Sequence, residues 1–545
     1  LVDKLDWSLL SGPRVSRRTL LAFGAATGSL AALSQSPALA GGFAVSRSRM
    51  PSAYQGEPVP GGTLRLGFSG DSVRELDPAQ SHAGTVAAHL ISNLFSGLVQ
   101  FDEALDLVPD LAETWEVSAD GTEYRFILRE GLTFHNGDPL LAEDVVYTYE
   151  RTNSPELASP HANKLELIAE AVAEDDLTAV FRMSEPFAPF LAVACVRGPG
   201  RALIPVPRRV VEEMGDEQFR LTPVGSGPFM LVPESLDVGQ GFEMVAFDGW
   251  YGGRPLLDSV QVQMIPEPVS QINALEAGDV DMLNVLLSTG VEQVMANDQL
   301  TALEAASTNW QSLAMNTERP PWDNVAARLA VSKAIDRQAF IDQAFFGLAA
   351  PAIGPIQPAF GWAYLPPDTV ENPQGFNLEE AQQLAEEAGL AGLQPVLLST
   401  AEYQRQAEVA RLMLQEIGLD VQIALAQDTV YTEREEAGDF DMSFWGSSND
   451  ADPDDAFWNF FHSEGPRNIV GFVNPRVDEL LLSSRTTPDQ AERAAMFQEI
   501  QAILQEETPC AFTRHLPDRL AYHNYVQGYR PIPDVRYLET VWLDQ

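Results

Sequence analysis

The chain holds only two cysteines in 545 residues, Cys195 and Cys510, and neither sits in a CxxC or zinc-type spacing. That excludes a disulfide framework and leaves two readings open, one long-range bridge or two small buried apolar side chains. Basic residues are scarce as well: 34 Lys and Arg stand against 78 Asp and Glu, a formal charge of −44. Such a surface repels DNA, RNA and anionic lipid, so nucleic-acid binding is excluded. The acidity reads as solubility at high ionic strength, where salt screens the repulsion between carboxylates. Long apolar runs are missing too. The run LLAFGAATGSLAAL, residues 20–33, falls short of the roughly 20 residues a spanning helix needs and is diluted by Gly, Ser and Thr. Motifs of catalysis are also lacking: there is no HExxH, GxxxxGK[ST] or GxSxG, and Gly225-Ser226-Gly227 has the wrong spacing for a nucleophile elbow.

What is present is a large globular protein. A hydrophobic fraction of 45% supplies a real core, and the length suggests more than two units of it. Arg17 and Arg18 stand directly before the apolar run, and Ala38 and Ala40 frame an A-x-A cleavage site. Residues 1–40 are therefore expected to be a twin-arginine signal peptide, removed before Gly41. No Cys follows that site, so a free periplasmic protein is expected rather than a lipoprotein. Residues 41–60, rich in Ser, Pro, Arg and Gly, read as a flexible leader.

Strand and helix patterns then alternate. Gly62–Phe68 alternates as a half-buried strand, residues 85–98 read as a helix, and Asp120-Gly121 marks a hairpin. A helix follows Pro139, and FRMSEPFAPFLAVA (residues 181–194) reads as a short one. Another runs from Pro268 to its cap at Gly278. Residues 328–346 read as one long helix. Further on, strand PVLLST, helix YQRQAEVARLMLQEIG and strand DVQIALAQ make a unit of the kind that builds parallel or mixed sheets. The fold class is α/β, or mixed α+β.

Six blocks in order carry a family resemblance. The most specific is LAETWEVSADGTEYRFILREGLTFHNGDPLLAEDVVYTYER, residues 111–151. It is followed by PVGSGPFML, FDGWYGGRPLLDSVQVQMIPEPVSQINALEAGDVDM, LAMNTERPPWDNVAARLAVSKAIDRQAF, GDFDMSFWGSSNDADPDDAF and GFVNPRVDELLLSS. From about Gly61 onward the chain resembles the extracellular solute-binding proteins of family 5, the dipeptide, oligopeptide and nickel type serving ABC importers. The resemblance implies a two-lobed periplasmic-binding-protein fold of the large peptide-binding type, with an extra subdomain inserted in the first lobe. Mapped here, lobe I takes residues 61–308, lobe II 309–516, and residues 517–545 return to lobe I. It also implies a non-enzymatic monomer without a cofactor. Such a protein captures a di- or oligopeptide or related small polar solute and delivers it to a membrane permease. An oligosaccharide, an opine or a nickel chelate is the alternative ligand. A secreted hydrolase using paired carboxylates is the rival from another class, although no local pattern nominates a pair among the 78 acids.

The segment Trp445-Gly446-Ser447-Ser448-Asn449-Asp450-Ala451-Asp452-Pro453 resembles the family's ligand border. There, an Asp four residues before the Pro holds the ligand's α-ammonium. This chain has Asn449 in that place, with Asp450 beside it as a substitute; Asn449, Asp450 and Asp452 equally suit turn caps. Trp445, Trp310 and Trp362 are candidates to wall the ligand or to fill the core. Ser69 and Asp71 fall where the family's first lobe approaches ligand, and an ordinary turn is their other reading.

Overall fold

A computed structural model describes residues 57–69, 73, 75–81, 86–195, 198–366, 372–448, 452–533 and 535–544; of residues 86–89, 198–200, 428, 429 and 448 it describes only the backbone. Among them the alternation of Thr63–Phe68 buries Leu64 and Leu66 inside a seven-stranded sheet. Its strand order is Leu300–Ala305, Asp518–His523, Met282–Leu283, Thr63–Phe68, Ser259–Met264, Gly241–Ala246 and Phe229–Leu231. A six-stranded sheet runs Ala350–Pro351, Cys510–His515, Asn309–Met315, Met442–Ser448, Val396–Ser399 and Gln422–Leu425. A smaller four-stranded sheet, Ala112–Val117, Glu123–Leu128, Thr178–Met183 and Ile168–Asp175, is all antiparallel. The Asp120-Gly121 hairpin turn lies inside it, with Gly121 at φ 70°.

Two segments differ from their sequence pattern. Residues 328–346 lie in two helices, Val325–Ala334 and Arg337–Phe345. Asp336 leaves helical backbone and its carboxylate accepts from the Ala339 N–H at 3.0 Å, starting the second helix. Residues 181–194 hold little helix: the strand Thr178–Met183 extends into them, and only Phe190–Val193 is helical. Pairing on both sides of that strand, together with Pro186 and Pro189, outweighs the local apolar spacing.

The largest core joins two regions distant in sequence. Phe126 and Phe181 of the four-stranded sheet, with Phe190 of the short helix, share it with Phe457, Phe497 and Ile500 of the helices Asp454–Phe461 and Gln490–Glu507. Separate cores lie against the seven-stranded sheet, around Leu66, Phe229 and Val260, and against the six-stranded one, around Leu313, Phe340 and Phe444.

Cys195 and Cys510 are both buried and form no disulfide with each other, which settles the two readings of the cysteines in favour of packing. Burial pushes the Cys510 thiol up to about 12. A maleimide mass-tag assay is therefore expected to label neither thiol in the folded protein and both after denaturation.

Candidate functional site

The register of the strands locates a cleft. Thr63–Phe68 runs parallel to Ser259–Met264 and Met282–Leu283, so these three strands end on one edge of the seven-stranded sheet. Ala305 lies opposite Asp518 there, so the chain leaves and re-enters this sheet at that same edge. In the six-stranded sheet Val396–Ser399 runs parallel to Gln422–Leu425 and Met442–Ser448. Asn309 opposite Ser448 and Trp310 opposite His515 put both crossings at the ends of these strands. The links between the sheets are short, residues 306–308 and 516–517, and Ser307 Oγ donates to the Leu516 carbonyl at 2.5 Å, tying one link to the other. The carboxyl ends of parallel strands from both sheets thus converge across a double crossing, which is where open α/β sheets take ligands.

The halves also touch away from the crossing. Lys164 Nζ lies 2.7 Å from Asp455, and the Ala188 N–H donates to the Arg485 carbonyl at 2.7 Å. The Arg485 guanidinium pairs with Asp454 at 2.9 Å and covers the Trp458 ring at 3.5 Å. The first two contacts join the four-stranded sheet's region to the helices Asp454–Phe461 and Pro475–Thr486, and Arg485 ties those two helices to each other.

The residues singled out in the sequence fall into two groups. Trp310 and Trp445 sit on adjacent strands with ring centroids 5.8 Å apart, and Phe460, Phe461 and Phe512 surround Trp310. Trp310 is 1% exposed, and the Trp445 indole N–H donates to the Arg467 carbonyl at 3.2 Å. Ser447, half-buried, lies opposite Trp310. The second group centres on Arg493, whose guanidinium holds Asp452 through bonds of 2.6 and 2.8 Å and lies 5.5 Å from the Trp362 ring centre. Asp452 also accepts from the Asp454 N–H at 2.9 Å, so it satisfies the first N–H of the helix Asp454–Phe461 and pairs with a cation at once. Ser69 is exposed just beyond the end of its strand. The side chain of Ser448 lies outside the described residues, as do Asp71, Asn449, Asp450, Arg17, Arg18, Ala38 and Ala40.

Residues 511–515 read from the sequence as the returning crossover, yet neither Arg514 nor His515 stood out there as a site residue, although CAFTRH carries three polar residues, Thr513, Arg514 and His515, in a fully buried run. Arg514 Nε donates to Gln311 Oε1 at 3.1 Å and its Nη1 to Asn309 Oδ1 at 3.3 Å, while the guanidinium lies 4.5 Å from the Phe345 ring centre. His515 is held neutral: burial pushes its imidazole down to about 4. An imidazole with an ordinary unfolded value near 6.5 and a folded value near 4 stabilises the fold fully above pH 6.5 and loses that contribution as pH falls toward 4. His515→Gln is accordingly expected to flatten the pH dependence of unfolding free energy between 6.5 and 4 by about 2–3 kcal/mol, measured by urea titration across that range. Asp110 works in the opposite direction, since burial raises its carboxyl to about 6. Among the described residues no group of three or more His, Cys, Asp or Glu is placed to hold a metal ion. No described helix is long and apolar enough to cross a membrane.

Two sheets whose strand ends meet at a short double crossing define a two-lobed protein that holds a small solute between its halves. The chain belongs to the bacterial extracellular solute-binding proteins, family 5, whose model for the middle region matches residues 106–468. Heme-binding protein A of Haemophilus influenzae is 27% identical over 497 residues, covering 86% of this chain and 88% of that protein. Di/tripeptide-binding protein 2 of Pseudomonas aeruginosa is 27% identical over 487 residues, covering 84% and 90%. Among solved structures, the ABC transporter-associated periplasmic binding protein DppA of Helicobacter pylori, in complex with the peptide STSA, superposes with a TM-score of 0.76. At 24% identity, over 89% of this chain and 99% of that one, it shares the fold.

Proposed function

We propose that this protein is the periplasmic substrate-binding component of an ABC importer, capturing a di- or oligopeptide or related small polar solute and handing it to the permease. The convergence of both sets of strand ends at the double crossing carries this reading. Two short links leave a hinge, and ligand contacts made to both halves at once favour the closed state. An extended ligand backbone would be hydrogen-bonded across the cleft much as in strand addition. Lobe I takes residues 61–308 and 517–545 in this reading, and lobe II residues 309–516. Ser69 from the first lobe, with Ser447, Ser448, Asn449 and Asp450 from the second, border the ligand; Trp310, Trp362, Trp445 and Asp452 support them. The protein acts as a monomer after export by the twin-arginine route through Arg17 and Arg18.

Thermal melts and small-angle scattering with a panel of di- to pentapeptides test the reading. A binding peptide is expected to raise the melting temperature in proportion to the logarithm of its concentration. The same peptide is expected to shrink the radius of gyration. A panel that leaves both quantities unchanged, or a peptide recovered cleaved, overturns the proposal.

A further inference from the structure

Six buried guanidiniums among the described residues are satisfied in two ways, and Arg514 in neither. Arg151, Arg493, Arg519 and Arg536 each face a carboxylate, from Asp77, Asp452, Glu304 and Asp518 respectively. Arg328 and Arg337 are wrapped in main-chain carbonyls, those of Trp322, Glu507 and Thr508 for the first and of Phe512, Ser332 and Gln374 for the second. Arg514 is as deeply placed, at 6% exposure, yet its acceptors are two neutral amide oxygens, those of Gln311 and Asn309. Two of its five N–H groups are engaged, and no carboxylate among the described residues pairs with it. A buried charge with so few of its N–H groups engaged carries a desolvation penalty that a counter-charge offsets.

Position makes the missing counter-charge informative. Arg514 lies on the crossing strand, opposite Gln311 on one side and Pro351 on the other, at the sheet edge where the cleft opens. Phe345 forms one flat wall beside it. Around it, Glu402 and Tyr403 favour its charged form and Arg519 opposes it, while burial, the largest influence, pushes the guanidinium down to about 10; it stays charged at neutral pH. In a chain of net charge −44, this is a cation held at the edge where the strand ends of both sheets converge.

We propose that Arg514 receives an acidic group of the bound solute, a carboxylate, so that the cleft selects anionic ligands. The planar fork of a guanidinium matches a carboxylate in two parallel bonds, and its free N–H groups supply them. Gln311 and Asn309 hold the fork in plane, and Phe345 keeps water from one of its faces. The inference rests on the reading of the cleft as the ligand site and adds to it the charge of the ligand.

The test uses the full chain and two tripeptide libraries, one of free acids and one of the same sequences as C-terminal amides, with bound species read by native mass spectrometry and affinities by calorimetry. The wild type is expected to prefer the acids about tenfold to a hundredfold. Arg514→Gln is expected to abolish that preference, and Arg514→Lys to restore part of it. If the amides bound are only those carrying Asp or Glu, the acidic group is a side chain rather than the terminus, and the proposal stands. Equal affinity for both libraries in the wild type, for peptides with and without Asp or Glu alike, is a comparison that needs no variant to fold, and it overturns the role of Arg514 while leaving peptide capture intact. If neither library binds, the peptide reading itself falls and this inference with it.

Discussion

Asp518→Ala is expected to lower the unfolding free energy by about 3–5 kcal/mol, through the charge it strands rather than the contact it removes. Arg536 is fully buried, and both oxygens of Asp518 accept from it, at 2.6 and 2.8 Å. Its remaining reach goes to the Asn284 carbonyl, at 2.8 and 3.1 Å. The Arg536 carbonyl in turn accepts from Asn93 Nδ2 at 2.5 Å, and Asn93 Oδ1 accepts from the Leu538 N–H. One ion pair thereby fixes the last segment of the chain to the helix Val86–Leu94, to Asn284 and to the strand that returns from the crossing. Alanine at 518 leaves the guanidinium in place with its carboxylate gone. A double replacement, Asp518→Leu with Arg536→Met, removes both charges and is expected to recover most of the loss. Urea unfolding of the two single variants and the double variant checks this; near-additive losses would show that the pair is not a coupled unit.

Local chemistry made the fold legible wherever a short segment settles its own conformation. Gly278 ends its helix in left-handed backbone because that position tolerates no Cβ cheaply, and Pro268 begins the same helix where its missing N–H is harmless. The strand-helix-strand unit from Val396 to Leu425 pairs in parallel, as its alternation of patterns suggests. The break at Asp336 was hidden because apolar spacing continues across it through Ile335, which is fully buried, and a lone Asp in a helical pattern reads as surface. The cleft was legible only through resemblance. Its composition depends on register between strands far apart in the chain, such as Gln311 against Arg514, which no local window contains. Arg514 looks like any strand residue until its neighbours are known to include no acid that pairs with it.

Trp310→Ala is expected to cost about 3–5 kcal/mol, more than any ligand contact the indole makes. Its ring is covered by Phe460 at 5.1 Å, Trp445 at 5.8 Å and Phe461, Phe512 at 5.9 Å, in tilted, edge-on and stacked arrangements. Those five aromatics belong to four separate elements, meeting where the chain first enters the six-stranded sheet. Removing the indole leaves a cavity that stiff rings cannot close by rotating, so both transfer energy and packing are lost. Trp310→Phe keeps most of the apolar surface and is expected to lose less than half as much. Two readings of this residue separate on the same pair of variants. If it fills the core, stability falls from Trp to Phe to Ala while affinity for a binding peptide, measured on the fraction that remains folded, changes little. If it walls the solute, affinity falls at least tenfold in Trp310→Phe with stability nearly kept, and the packing account is wrong.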